Sequence, residues 1–143
     1  MTVALEKVLY TAKATATGGR EGHSKTEDGM IDLTMTPPKE MGGAGTGANP
    51  EQLFAAGYAA CFLGAVKFSG RQQQVAVSDD ATVTAAVSIG PITGGFGLAV
   101  ELTVSLPGID KDTAQKLVDQ AHNEVCPYSN ATRGNVDVTI TLA

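Results

Sequence analysis

Tryptophan is absent, and three tyrosines and four phenylalanines bring the aromatic share to only 5%. A densely packed core must therefore come from Ala, Val, Leu and Ile rather than from large rings. Positive charge is scarce as well: 10 Lys and Arg against 15 Asp and Glu leave a net charge of −5 and a pI near 4.8. That balance excludes the basic footprint needed for nucleic-acid backbones or anionic membrane surfaces. Cysteine and histidine number two each, too few for a disulfide scaffold. The interval between Cys61 and Cys126 is too long for a CxxC redox motif and gives no local zinc pattern. A four-ligand metal site would need both cysteines together with His23 and His122, so no metal or cofactor is expected.

Long hydrophobic runs are also missing. The longest, Leu53 to Phe68, falls short of the roughly 20 residues of a membrane span and is interrupted by Gly57 and Gly64. Met1 to Thr11 carries Glu6 beside Lys7 and lacks the basic, apolar and cleavage regions of a signal peptide. A cytoplasmic location with no membrane partner is the expectation. What remains is 143 residues, 43% hydrophobic and 17% charged. This is the composition of one globular domain, 1–143, and not of a disordered chain.

Residues 5–16 alternate, with Val8, Tyr10, Ala12, Ala14 and Ala16 on one face, and read as a strand. Gly18-Gly19-Arg20-Glu21-Gly22 is a turn or loop. After Asp28-Gly29, Ile31, Leu33 and Met35 alternate with polar residues as a second strand that Pro37-Pro38 stops. Met41 to Asn49 is a Gly-rich lead-in. It precedes a helix but lacks the Gly-Lys-Ser/Thr ending of a phosphate loop. Asn49-Pro50-Glu51-Gln52 has the residue types of a helix start, and the helix is predicted to run from Pro50 to Ser69. It is apolar nearly all round, which points to burial on most sides and to a partner subunit as wrapper. Strands are predicted at Thr82–Ile89 and Phe96–Leu106, a second helix at Asp110–Val125 and a last strand through Val136, Val138, Ile140 and Leu142. The class is α+β with mainly antiparallel sheet.

Four residues stand out. Cys61 lies inside the apolar helix, where a thiol often serves as a small hydrophobe. Cys126 lies at a helix end beside Pro127, where side chains are reachable. Arg20 sits in a glycine-flanked loop, and Glu51 in a first helical turn, where helix-dipole complementarity alone explains an acid. His122 is read as capping or lining its helix. From residue types alone, packed and reactive cysteines both stay open.

Two long segments are similar to those of a known family. Asn49-Pro50-Glu51-Gln52-Leu53-Phe54-Ala55-Ala56-Gly57-Tyr58-Ala59-Ala60-Cys61-Phe62 and Cys126-Pro127-Tyr128-Ser129-Asn130-Ala131-Thr132-Arg133-Gly134-Asn135-Val136-Asp137-Val138 resemble signatures of the organic hydroperoxide resistance (Ohr) proteins, within the wider OsmC/Ohr family. Gly18 to Gly22 and Pro107-Gly108 match as well, so the resemblance covers essentially the whole chain. It implies mainly antiparallel sheets around two long helices in an intertwined homodimer. It further implies a thiol peroxidase acting on alkyl or fatty-acid hydroperoxides. Cys61 would be the attacking cysteine and Cys126 the resolving one, with Arg20 stabilising the Cys61 thiolate and Glu51 orienting Arg20. The reductant would be a dihydrolipoyl group, free or on a lipoylated protein.

Elementary chemistry gives that role to Arg20 a purpose. A thiol of pKa near 8.5 is only about 3% ionised at pH 7, and the thiolate is the nucleophile. Apolar burial makes this worse, whereas an adjacent guanidinium reverses it. Leu53, Phe54, Phe62 and Phe96 would supply apolar surroundings that favour organic over hydrogen peroxide. One difficulty is geometric, because ten residues of straight helix place Glu51 about 15 Å from Cys61 and on another face. Either the helix breaks near Gly57, or Glu51 or Arg20 reaches the site from a second subunit. Two other readings compete. One is an OsmC-branch enzyme preferring other peroxides; the other is a dimeric apolar-ligand binder with inert cysteines.

Overall fold

The computed structural model describes residues 2–143. The chain divides into two compact units, one ending at Pro50 and the other comprising Glu51–Ala143.

The N-terminal unit is a three-stranded antiparallel sheet in the order β1 (Ala14–Thr17), β2 (Gly22–Thr26) and β3 (Asp32–Met35). The β1–β2 turn requires Gly18, whose φ is +72° and at which a Cβ would collide with the Glu21 carbonyl oxygen. At the β2–β3 turn the Asp28 carboxylate accepts from the Met30 N–H at 3.0 Å and from Thr26 Oγ1 at 2.7 Å. Those bonds, the backbone one foremost, hold the Asp28 carboxyl below its ordinary range.

The strand expected over residues 5–16 is found only from Ala14 onward. Its partner explains the shortening: Ala14 pairs with Thr26, Lys13 still accepts from the Glu27 N–H at 2.9 Å, and the β2–β3 turn follows. Upstream residues then have no strand to pair with, and Val8, Leu9 and Tyr10 are exposed. β2 itself escaped the pattern because His23, Ser24 and Lys25 carry no apolar alternation. The Gly-rich segment is not the loose lead-in that its composition suggests. It begins beside a 3-10 turn at Lys39–Met41 and ends hydrogen-bonded to β3, with Thr36 N–H on the Ala48 carbonyl at 3.0 Å and Ala48 N–H on that of Thr34 at 2.9 Å.

The C-terminal unit opens with α1 (Pro50–Gln72), followed by the hairpin β4 (Thr82–Ile92) and β5 (Gly95–Ser105). Then come α2 (Lys111–Gln120), α3 (Pro127–Thr132) and β6 (Asp137–Leu142). Asp110 caps α2 by accepting from the Thr113 N–H at 3.0 Å. The sheet order is β4-β5-β6, with β4 antiparallel and β6 parallel to the central β5. The parallel pair follows from the crossover through α2 and α3. The α+β class and mainly antiparallel sheets therefore stand.

One apolar cluster joins Tyr58, Phe62 and Val66 of α1, Val100, Leu102 and Val104 of β5, and Leu117 and Val118 of α2. At 23 residues α1 exceeds the apolar run read from the sequence and is long and apolar enough to cross a membrane, yet these buried contacts are those of a core helix. Burial on most sides is not found. Ala56, Ala60, Gly64 and Phe68, each four residues apart, form an exposed apolar stripe.

Leu102 is fully buried in the central strand. Leu102→Ala is expected to cost about 2–5 kcal/mol by loss of transfer energy and opening of a cavity. Urea unfolding of reduced protein measures it, and a loss below about 1 kcal/mol would contradict this account of the core.

Candidate active site

The second helical segment is not uniform. After α2 the chain widens into a π turn at Ala121–Val125, closed by the Cys126 N–H on the Ala121 carbonyl at 2.8 Å. Cys126 is extended, at φ −69° and ψ 117°, as a residue before proline must be. Pro127 then starts α3, and Cys126 becomes its N-cap. The sulfur takes the place of a capping oxygen: Cys126 Sγ accepts from the Ser129 N–H at 3.5 Å.

This cap faces α1. Cys126 Sγ lies 3.6 Å from Cys61 Sγ, across a sequence separation of 65 residues. Both are free thiols, Cys61 half-buried and Cys126 fully buried. Burial pushes the Cys61 thiol up, the backbone N–H of Tyr128 pulls it down, and the neighbouring Cys126 pushes it up again. Contracting the gap to the roughly 2.05 Å of an S–S bond requires only a small movement of either side chain.

Aromatic rings surround this point. Phe54, Tyr58, Phe62 and Tyr128 contact one another with centroids 5.7–6.4 Å apart. Gly57 provides the space for Tyr128, because a Cβ there would lie 3.0–3.1 Å from its hydroxyl and ring. Phe96 is elsewhere, 72% exposed at the start of β5.

Of the four candidate residues, the structure brings the two cysteines together. Glu51 stands in the first turn of α1, which runs unbroken through Gly57. Of the two alternatives, a helix break near Gly57 is absent, and the rise of the helix separates Glu51 from Cys61 by about 15 Å. Arg20 stands in the β1–β2 turn of the N-terminal unit.

A family model described as OsmC-like protein matches residues 43–141. An organic hydroperoxide resistance protein from Xanthomonas axonopodis pv. citri (strain 306) is 58% identical over 139 residues, 96% of this chain and 97% of that one. The chain belongs to the OsmC/Ohr family. Among solved structures of the family, an organic hydroperoxide resistance protein from Elizabethkingia anophelis superposes with TM-score 0.89 at 50% identity, covering 96% of this chain and 98% of that chain. The OhrB protein of Bacillus subtilis gives TM-score 0.86 at 46% identity, covering 95% and 100%. The α+β fold predicted from the family signatures is thus the fold found.

Sequence reasoning assigned no role to the groups behind the sulfurs. His122 does not simply line its helix: its Nδ1 lies 2.8 Å from Ser129 Oγ, which in turn lies 2.8 Å from the hydroxyl of Tyr58. The available signal was Tyr58 itself, since a tyrosine in the middle of a buried apolar helix needs a partner for its hydroxyl.

Burial chiefly, and the Arg133 charge secondarily, hold His122 below its ordinary pKa of 6.5, with Asp119 opposing. The folded chain therefore prefers neutral His122. Its contribution to stability is complete above pH 6.5 and is lost as the pH falls towards the lower folded value, where the unfolded chain takes up the proton first. Urea midpoints of reduced protein should fall on acidification below pH 6.5, and His122→Asn should flatten that part of the curve. An unchanged slope in the variant would assign the effect to other groups.

Proposed function

We propose that the chain is a Cys-based peroxidase that reduces organic hydroperoxides to alcohols in oxidative-stress defence. The observation that carries the reading is the 3.6 Å approach of Cys61 and Cys126. The names of the relatives supply the class of substrate.

In the proposed cycle the Cys61 thiolate attacks the terminal peroxide oxygen. The O–O bond breaks, the alkoxide leaves and takes a proton to become an alcohol, and Cys61 becomes a sulfenic acid. Cys126 then displaces the hydroxyl as water and forms the Cys61–Cys126 disulfide. A dithiol of the dihydrolipoyl type, free or carried on a lipoylated protein, reopens it by exchange. The half-buried position of Cys61 beside Phe54, Tyr58, Phe62 and Tyr128 favours an alkyl or fatty-acid tail over hydrogen peroxide.

Arg20 is proposed to lower the Cys61 pKa and to stabilise the departing oxygen, with Glu51 orienting the guanidinium. A homodimer is proposed to cover the Ala56-Ala60-Gly64-Phe68 stripe, and a cytoplasmic setting to keep the resting thiols reduced.

One equivalent of alkyl hydroperoxide should remove two thiols per chain; an inert apolar-ligand binder would lose none. Cys61→Ser should abolish turnover, and Cys126→Ser should allow one oxidation but no disulfide. Equal multiple-turnover activity in both variants would overturn these roles. Arg20→Ala should slow the first oxidation at pH 7 at least about tenfold, since removing the guanidinium raises the Cys61 pKa and the thiolate is the nucleophile. High pH should restore the ionisation part alone. Stopped-flow rates across pH 5–10 read this, and a wild-type profile in Arg20→Ala would assign activation to another group. Sedimentation should give a dimer at micromolar concentration, and a stable folded monomer would count against the covering partner.

A further inference from the structure

Behind the two sulfurs a line of polar side chains runs through apolar packing. Tyr58 and Ser129 are fully buried, and Thr132 is 4% exposed. His122 Nδ1 meets Ser129 Oγ at 2.8 Å, Ser129 Oγ meets the Tyr58 hydroxyl at 2.8 Å, and that hydroxyl meets Thr132 Oγ1 at 3.1 Å. Thr132 Oγ1 donates in turn to the Ser129 carbonyl at 3.3 Å.

Counting protons fixes the direction of this line. A carbonyl oxygen only accepts, so the single Thr132 hydroxyl hydrogen is used there. Thr132 Oγ1 must then accept from Tyr58, whose hydroxyl accepts from Ser129, whose Oγ accepts from His122. Three hydroxyl hydrogens cannot make four bonds, so the fourth hydrogen comes from His122 Nδ1–H. Neutral His122 is therefore the Nδ1–H tautomer. Acid adds its proton at Nε2 and leaves the bond to Ser129 in place.

The two middle members of the line, Tyr58 and Ser129, lead to the cysteines. Tyr58 lies three residues before Cys61 on α1, on nearly the same face. The Ser129 N–H is bonded to Cys126 Sγ, which lies 3.6 Å from Cys61 Sγ. The line thus ties the first turn of α3, which carries Cys126, to the turn of α1 that carries Cys61.

We propose that His122, Ser129 and Tyr58 are positioning residues for the resolving step, holding Cys126 Sγ within reach of Cys61 once Cys61 is a sulfenic acid. The inference rests on the peroxidase reading above. In that step the S–O bond of Cys61 breaks and the S–S bond forms. Cys61 sulfur is reduced, Cys126 sulfur is oxidised, and the hydroxyl leaves with the Cys126 proton as water. No outside oxidant is needed. The competing fate of the sulfenic acid is attack on a second peroxide, which gives a sulfinic acid. A loosened Cys126 shifts the outcome towards that product.

The test uses full-length Tyr58→Phe, Ser129→Ala, His122→Leu and His122→Asn with cumene hydroperoxide. Stopped-flow traces separate the first oxidation from disulfide formation, and mass spectrometry of Cys61 reads the sulfinic acid. Tyr58→Phe, Ser129→Ala and His122→Leu are expected to slow disulfide formation about tenfold while slowing the first oxidation far less. The ratio of sulfinic acid to disulfide should rise by a similar factor. His122→Asn, whose amide N–H can replace Nδ1–H, should restore most of the wild-type ratio. Nitrogen NMR of the wild type should show Nδ1 as the protonated nitrogen of neutral His122.

Folded variants that form disulfide at the wild-type rate, or an Nε2–H tautomer, would overturn the proposal. So would a His122→Asn no better than His122→Leu. Should Ser129→Ala fail to fold, the near-isosteric Tyr58→Phe carries the test. A wild-type Cys61 that ignores the hydroperoxide sinks the peroxidase reading instead, a result distinct from wild-type disulfide formation that the variants leave unaltered.

Discussion

The site depends on one close approach, that of the N-terminus of α3 to the middle of α1. Three local features permit it. The π turn at Ala121–Val125 adds a residue to the helical path and ends with the Cys126 N–H still bonded. The Cys126-Pro127 step then forces an extended residue, so the chain starts a new short helix instead of prolonging the old one. On the other side Gly57 leaves space for the Tyr128 ring. A continuous α-helix through Val125 would displace Cys126 and with it the pairing of the sulfurs, whereas a Cβ at Gly57 would only make the exposed Tyr128 ring yield by a few tenths of an ångström. π turns inside helices recur at functional sites for this reason, since they re-aim the downstream chain.

The same approach sets the electrostatics. Bringing a buried thiol against a half-buried one removes solvent from both, and an ionised sulfur there must be compensated by N–H groups rather than water. The first turn of α3 presents its otherwise unpaired N–H groups in the right place: Tyr128 towards Cys61 and Ser129 towards Cys126. Aligning a six-residue helix so tightly needs more than its own hydrogen bonds, because so short a helix is marginal alone. The hydroxyl line through Tyr58, Ser129 and Thr132 supplies that support from within the core. Arg133 adds a fastening on the outside, donating to the His122 carbonyl and to Asn130 Oδ1 at 2.8 Å each.

Much of this architecture is legible in the sequence, and the failures share a cause. The β4–β5 hairpin, the long helix beginning at Pro50, the stripe of Ala114, Leu117, Val118 and Ala121, and the last strand all announce themselves by periodicity, because each buries one face in its own unit. The two cysteine segments are distinctive enough to identify the family. What periodicity does not carry is partnership. Residues 5–12 alternate as a strand should, yet β2 is too short to pair with them. Ala56, Ala60, Gly64 and Phe68 look like core but are exposed in the single chain. The π turn is invisible too, since its extra residue falls after Ala121, where the 3.6-residue pattern has already been satisfied. The approach of Cys61 to Cys126 is a contact between distant segments, and no local rule encodes it.

The thiol chemistry sets a last constraint on the proposed reading. Within Glu51–Ala143, burial and the neighbouring Cys126 raise the Cys61 pKa, and the Tyr128 N–H opposes them without reversing the direction. A thiol held above its ordinary pKa is almost wholly protonated at pH 7, and the thiolate is the nucleophile. These groups by themselves thus leave Cys61 a poor nucleophile, protected from casual oxidation by the burial that lets it meet Cys126. If the chain is the peroxidase proposed, the positive charge that activates Cys61 must come from outside those groups. Arg20 is the residue proposed for this, because a guanidinium stays charged at any working pH.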